Sequence, residues 1–296
     1  SFLGGCSGGV DKRPQITVES EQGLSSGSAA YYQGDYRKAL ARFAEALQRY
    51  QSIDDLDGVL QTRINIAETA LLTNNLAQAS TELEQISDLL LFVNNPDYQQ
   101  RHRLLAAEYA LRMGNPNSTI EQLKVLLPNA NAVASDQPVT IKALALRAEA
   151  SVLAEAEDAP QWLERLVAAN RAESPGYAQN KALLHWLRGR LLIDQGQYPA
   201  ATEQAQAALK AYKALNLRTG IARSLELLAQ LYRRQQAWRM ADLHLRRALP
   251  VRAWLTDKPG VLAILTDLVE VNQRLRRPQQ VQQYQREIER MAKNHP

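Results

Sequence analysis

The chain is short of most residues that carry chemistry. It has one cysteine in 296 residues, so an internal disulfide and any site built from several thiolates are excluded. Its four histidines, His102, His185, His244 and His295, are far apart in sequence. None has another histidine, a cysteine or a paired carboxylate at metal-ligand spacing, so no metal is expected and each is read as a structural or surface histidine. No GxSxG or HExxH occurs, and the glycines of GGCSGG precede no strand and helix, so they do not form a phosphate loop. The pairs Asp54/Asp55 and Glu157/Asp158 sit where turns and caps account for them. No apolar run reaches 18 residues, which excludes a spanning helix. Aromatics make up 6% of the chain, and β-branched runs are few. An enzyme, a cofactor and an all-β core are therefore not expected.

What is present is alanine and leucine at helical spacing, punctuated by turns. Leu192 to Leu209, LIDQGQYPAATEQAQAAL, reads as a helix end, a tight turn and a returning helix. Gly196 stands where the first helix must stop, and a glycine there takes the left-handed conformation cheaply. Pro199 suits the first turn of the next helix. Seven residues before the turn, Gly189 lies inside a helix, where glycine costs roughly 1 kcal/mol against alanine and so implies close packing. The returning helix offers Ala201, Ala205 and Ala208 as a narrow stripe for that approach, with Tyr198 at its start.

Near the N-terminus, GSAAYYQGDYRKALARFAEAL repeats the pattern with Gly27, Gly34, Tyr36, Ala39, Phe43 and Ala46. Turn positions recur at Gly34, Asn74, Gly114, Gly196, Gln236 and Arg276, a step of about 40 residues, with one more unit expected around Glu157. Ala79 and Leu83, Leu123 and Leu126, and Trp238, Ala241, Leu245 and Ala248 take equivalent places. These residues resemble the tetratricopeptide repeat family, whose Gly, Gly/Asn, Tyr, Ala, Phe, Ala pattern is matched by Gly27, Gly34, Tyr36, Ala39, Phe43 and Ala46. The resemblance extends from about residue 20 to the end, is weakest in units four and seven, and has a longer step than the family's usual ~34 residues. It implies an all-α protein, a right-handed α-solenoid of about seven antiparallel helix hairpins. The repeat domain is placed at residues 26–296, with blocks at 26–135 and 136–296 separated by the loop LPNANAVASDQPVT. The polar helix QQYQREIERMAKNHP is read as an end cap.

Residues 1–25 are rich in Gly and Ser and are read as a flexible tether. Within them Leu3, Gly4, Gly5 and Cys6 resemble the bacterial lipoprotein box, in which small residues precede a cysteine that becomes lipidated and N-terminal. That resemblance implies a signal remnant before Cys6, an outer-membrane anchor with Ser7 following the cysteine, and repeats in the periplasm, attached to the membrane by lipid only. If Cys6 is not lipidated, a cytosolic scaffold is the alternative.

Family resemblance also implies a groove lined by the first helix of each hairpin. Carried onto this chain, its side chains include Glu68, Arg101, Glu108, Arg112, Trp186, Arg190, Arg223, Gln230 and Arg234. Trp186 beside Arg190 is either a groove anchor for a peptide or a core tryptophan. The charge is uneven: 11 Lys/Arg against 15 Asp/Glu up to residue 135, 9 against 9 from 136 to 215, and 15 against 7 from 216 onward. The arginine clusters at 233/234, 246/247 and 274/276/277 point either to an acidic partner at the C-terminal end or to a solvated face. Nucleic acid is not expected, because no recognition motif accompanies the charge. The expected function is a non-catalytic scaffold for a protein or peptide partner, recruiting an envelope enzyme or assembly component. Alternatives are a pilotin-like secretion or pilus assembly factor and a regulator of a cell-wall enzyme.

Overall fold

Residues 13–127, 138–174 and 176–293 are described by a computed structural model, and among them there are fourteen α-helices and no strand. Two compact units divide between Leu105 and Ala106. The first contains α1 (Gln15–Tyr32), α2 (Tyr36–Ser52), α3 (Leu56–Leu72), α4 (Leu76–Leu89) and the start of α5 (Pro96–Arg112). The second contains the rest of α5, α6 (Pro116–Leu123), α7 (Pro138–Leu153), α8 (Ala159–Ala169), α9 (Tyr177–Asp194) and α10 (Tyr198–Ala214). It continues with α11 (Arg218–Arg234), α12 (Trp238–Trp254), α13 (Lys258–Arg274) and α14 (Pro278–Lys293). Helices pack consecutively as α1/α2, α3/α4, α7/α8, α9/α10, α11/α12 and α13/α14, and Thr119 of α6 donates to the Ala107 carbonyl of α5 at 3.1 Å, giving seven hairpins among the described residues. The division expected between residues 135 and 136 lies outside the described residues, as does Cys6.

One turn recurs inside every hairpin. Its central residue is left-handed at Gly34, Asn74, Gly114, Glu155, Gly196, Gln236 and Arg276, with φ between 53° and 79°. The next N–H reaches back to the carbonyl five residues earlier. Examples are Asp35 to Ala30 at 3.0 Å, Gln197 to Leu192 at 2.8 Å and Ala237 to Tyr232 at 2.8 Å. These are Schellman closures, which satisfy carbonyls that the helix end would otherwise orphan. The fourth turn centres on Glu155, two residues from Glu157, around which a further unit was expected. Side chains then cap several of the following helices: Asp35 accepts from Lys38 N, Asn75 from Gln78 N, and Asn115 from Ser118 N.

Small residues set the spacing within a hairpin. In the first unit a Cβ on Gly27 would meet the Phe43 ring at 2.5 Å, and one on Gly23 would meet Ala46 at 3.2 Å. In the second, Gly189 lies against the backbone of Ala201 and Ala205. Ala39, Ala46, Ala201, Ala208, Ala241 and Ala248 are wholly buried. Between hairpins the arrangement is different and was not read from the sequence. Tyr50 lies over Gly58 in the first unit, and Tyr212 lies over Gly220 in the second, each ring filling the space a Cβ would need. These glycines belong to the next hairpin's first helix, so they fix how closely successive hairpins stack.

The tether expected over residues 1–25 is corrected from Gln15 onward, because α1 begins there. Ser20, Gly23, Gly27 and Ala30 form its buried face. That face is made of small residues, so it carries little hydrophobic signal, and glycine with serine reads as linker when it is in fact a close-packing surface.

Candidate functional site

In the second unit the first helices of the last three hairpins border a cleft of about 550 Å³. From α11 come Arg223, Glu226, Leu227, Gln230 and Arg233, whose spacing puts them on one helix face. From α13 come Pro259, Gly260, Ala263, Ile264 and Asp267, with Trp186 of α9 and Arg112 of α5 completing the wall. Arg252 enters from the last turn of α12 and Asp257 from the N-cap of α13. Gln230 and Arg233 also border a second opening of about 310 Å³ with Arg234, Trp238 and Glu270.

The charged side chains of the large cleft are held by one another. Arg223 donates to Glu149 at 2.5 Å, and its guanidinium lies 4.0 Å from the centre of the Trp186 ring. The indole Nε1 of Trp186 donates to the Arg223 carbonyl at 3.2 Å, and the residue is only 7% exposed. The exposed aromatic anchor considered for this position is therefore a buried tryptophan roofed by arginine, which stacks on the ring face as cations do. Arg190 donates to Gln230 Oε1 at 2.9 Å and pairs with Asp194 at 3.6 Å. Arg252 grips Glu226 with two bonds of 2.7 and 2.8 Å and holds Asp257 at 2.7 Å. Burial alone would lower the Arg252 pKa, but these two carboxylates hold it above the usual value. Arg233 donates to Asp267 at 2.7 Å and to Glu270. Burial, with Glu270 and Glu226 nearby, pushes Asp267 above the usual carboxylate range despite Arg233.

Of the expected groove residues, Arg112, Trp186, Arg223 and Gln230 line this cleft, Arg190 buttresses it through Gln230, and Arg234 borders the smaller opening. Glu108 stands behind Arg112, accepting from it and from Lys142 at 3.1 Å each. Those two cations outweigh burial and keep its carboxyl below the usual range. Glu68 and Arg101 belong to the first unit, where Arg101 donates to Asn65 at 3.2 Å and lies 4.0 Å from Glu68. That unit has its own cleft of about 500 Å³, lined by Glu21, Ser25, Ser28, Asp55, Asp57 and Gln61 among others. The sequence reading missed Glu226, Arg252, Asp257, Asp267 and Glu270. A signal existed: on the 40-residue step Glu270 is the counterpart of Gln230, but unit seven matched the family pattern too weakly to carry the register.

The described histidines have local partners. His102 Nε2 lies 3.2 Å from the Leu83 carbonyl, His185 Nδ1 lies 2.9 Å from Gln204, and His244 stacks on Tyr232. Among the described residues no group of His, Cys, Asp and Glu is placed to hold a metal, and no helix is long and apolar enough to cross a membrane.

Residues 23–91 match the tetratricopeptide repeat family model. Among solved structures, a Rap protein complexed with Competence and Sporulation Factor aligns over 94% of this chain and 77% of its own, with a TM-score of 0.67 at 12% identity. The apo form of RapI aligns over 93% and 77%, with a TM-score of 0.53 at 15% identity. A signal transduction ATPase with numerous domains and a tetratricopeptide repeat sensor, from Pyrococcus horikoshii, aligns over 92% of this chain but 42% of its own, at 0.54 and 11%. At these identities the likeness is one of fold. No curated protein matches the chain by sequence.

Proposed function

We propose that this tetratricopeptide repeat protein is a non-catalytic adaptor that holds an extended segment of a protein partner in the cleft bordered by α9, α11 and α13. The observation that carries the reading is the cleft's lining. Apolar Leu227, Ile264, Ala263 and Pro259 alternate with ion-paired arginines and an amide, Gln230. Such a lining offers a peptide backbone both hydrogen-bond partners and apolar contact, with little freedom left to lose, because the side chains already hold one another. The Rap protein of similar fold is complexed with Competence and Sporulation Factor, which is consistent with a fold of this kind carrying a bound factor.

The Leu3-Gly4-Gly5-Cys6 box supports placing the adaptor on the outer membrane, facing the periplasm, with a lipid on Cys6 as its only membrane attachment. Anchoring would raise the local concentration of a captured enzyme or assembly component near the membrane. No cofactor and no nucleic acid enter this reading.

A photo-crosslinking amino acid at Gln230, compared with one at the exposed Gln206 of α10, tests the cleft in native cells. Capture of one envelope protein from Gln230 and not from Gln206, abolished by the cleft-filling Ala263→Trp, is expected. Equal capture from both positions, or capture indifferent to Ala263→Trp, would refute the cleft reading. Mass analysis of the native N-terminal peptide tests the anchor, and an unmodified Cys6 refutes it.

A further inference from the structure

We infer that the partner's segment is acidic at one end, and that this end leaves the cleft past Trp238 onto an arginine edge formed by the last two hairpins. The inference rests on the cleft reading above. It adds a direction and a composition to the bound segment.

The large cleft and the smaller opening share Gln230 and Arg233, so a segment lying in the first continues into the second. The charges along that path change character. Within the large cleft the arginines are matched: Arg223 by Glu149, Arg252 by Glu226 and Asp257, and Arg233 by Asp267 and Glu270. Beyond Trp238 four of them are not matched by a carboxylate. Arg234 ends α11, Arg239 lies in the first turn of α12, Arg274 ends α13 and Arg276 is in the turn after it, and all four are exposed. None of the four has a carboxylate partner among the described residues. The nearby acid Asp242 is buried and already engaged by Arg246 at 3.0 Å, Arg277 at 3.4 Å and Asn272 at 2.9 Å. Arg274 lies 5.5 Å from the centre of the Trp238 ring, which places cation and aromatic together at the mouth.

Unpaired guanidinium groups around a cleft mouth favour carboxylates, which they can hold with two bonds each. They attract them over about a Debye length, so association should weaken with salt. A protein segment fits better than a lipid surface because the arginines flank the end of a path that is already shaped for a chain.

The test is fluorescence anisotropy of the full chain with fluorescein-labelled hexaglutamate at low salt, with hexalysine as the opposite-charge control. Hexaglutamate is expected to bind, hexalysine not to bind, and Arg234→Glu/Arg274→Glu to weaken hexaglutamate about tenfold. Arg276→Gly separates binding from folding: it removes one edge charge and relaxes a left-handed residue, so binding should fall while the unfolding midpoint rises. Absence of hexaglutamate binding, indifference to the double reversal, or preference for phosphatidylglycerol vesicles over the peptide would each overturn the inference. The cleft reading fails on a different measurement, the capture from Gln230 and its loss in Ala263→Trp, so the two failures are distinguishable.

Discussion

The left-handed turn residues give the sharpest check on how the hairpins are held. Three of the seven are glycine, and four are Asn74, Glu155, Gln236 and Arg276. A residue with a Cβ pays roughly 1–2 kcal/mol for that conformation. Glycine avoids this but loses up to about 1 kcal/mol more unfolded-chain entropy. At Gly196, φ is 72° and nothing lies within 4 Å of a built Cβ, so Gly196→Ala changes the backbone cost and no packing. It should destabilise the second unit by about 1 kcal/mol. The reverse substitution, Gln236→Gly, acts at φ 57° on an exposed side chain that makes no hydrogen bond among the described residues. It should stabilise by about 0.5–1 kcal/mol. For a unit of this size, 1 kcal/mol is about 2–4 °C in Tm. Urea unfolding followed by circular dichroism measures both, as midpoint shifts at constant slope. A neutral or stabilising Gly196→Ala, or a destabilising Gln236→Gly, would show that the turns are not held by the conformation argued here.

Between hairpins, Gly220→Ala drives a methyl into the Tyr212 ring and should cost about 1–2 kcal/mol after the helix gains back glycine's propensity deficit; a stability equal to wild type in urea would mean the hairpins can slide apart freely. His244, buried against Tyr232 and beside Arg247, has its pKa lowered to about 4, chiefly by burial. Its folded value lies below the unfolded one, so its contribution is full above pH ~6.5 and is lost as pH falls toward 4, by about 2–3 kcal/mol. Stability measured from pH 7 to pH 4 should decline less in His244→Phe, and an identical slope would count against this origin. Arg223→Met leaves Glu149 mostly buried without its cation and uncovers Trp186. A loss of about 2–3 kcal/mol and a red-shifted tryptophan emission are expected, and unchanged emission would mean that Arg223 does not roof the ring.

The hairpins were legible because their defining residues act locally. Gly34, Gly196 and the alanines at 201, 205 and 208 each mark a turn or a close approach within some twenty residues, so a spacing rule finds them. Contacts between hairpins were harder to read, since Tyr212 over Gly220 joins a helix to the next hairpin and neither residue is diagnostic alone. The same holds for α1, whose small buried face resembles a linker in composition. In the cleft, Arg223, Gln230 and Trp186 followed from the register of well-matched units, whereas Asp267 and Glu270 sit in a unit that the pattern barely registers. The helix position of Trp186 is compatible with core or groove, and only the Arg223 carbonyl and guanidinium decide that it is buried with one face roofed.

Charge illustrates why a count along the chain is not a surface. Residues 216–296 hold 15 Lys/Arg against 7 Asp/Glu, and one reading of that excess is a basic groove. The fold sorts the charges otherwise. Glu226, Asp257, Asp267 and Glu270 are drawn to two cleft arginines, Arg233 and Arg252, so more than half of the segment's acids neutralise a small part of its cations. The excess is thereby expelled from the cleft and left on other surfaces, four of its arginines standing around the turns beside Trp238. Partly buried charges require partners, while exposed ones do not, because desolvation penalises only the former. A groove assembled from helices in contact will therefore tend to consume its own arginines, and the basic character that remains available to a partner appears at the edge, where side chains stay solvated.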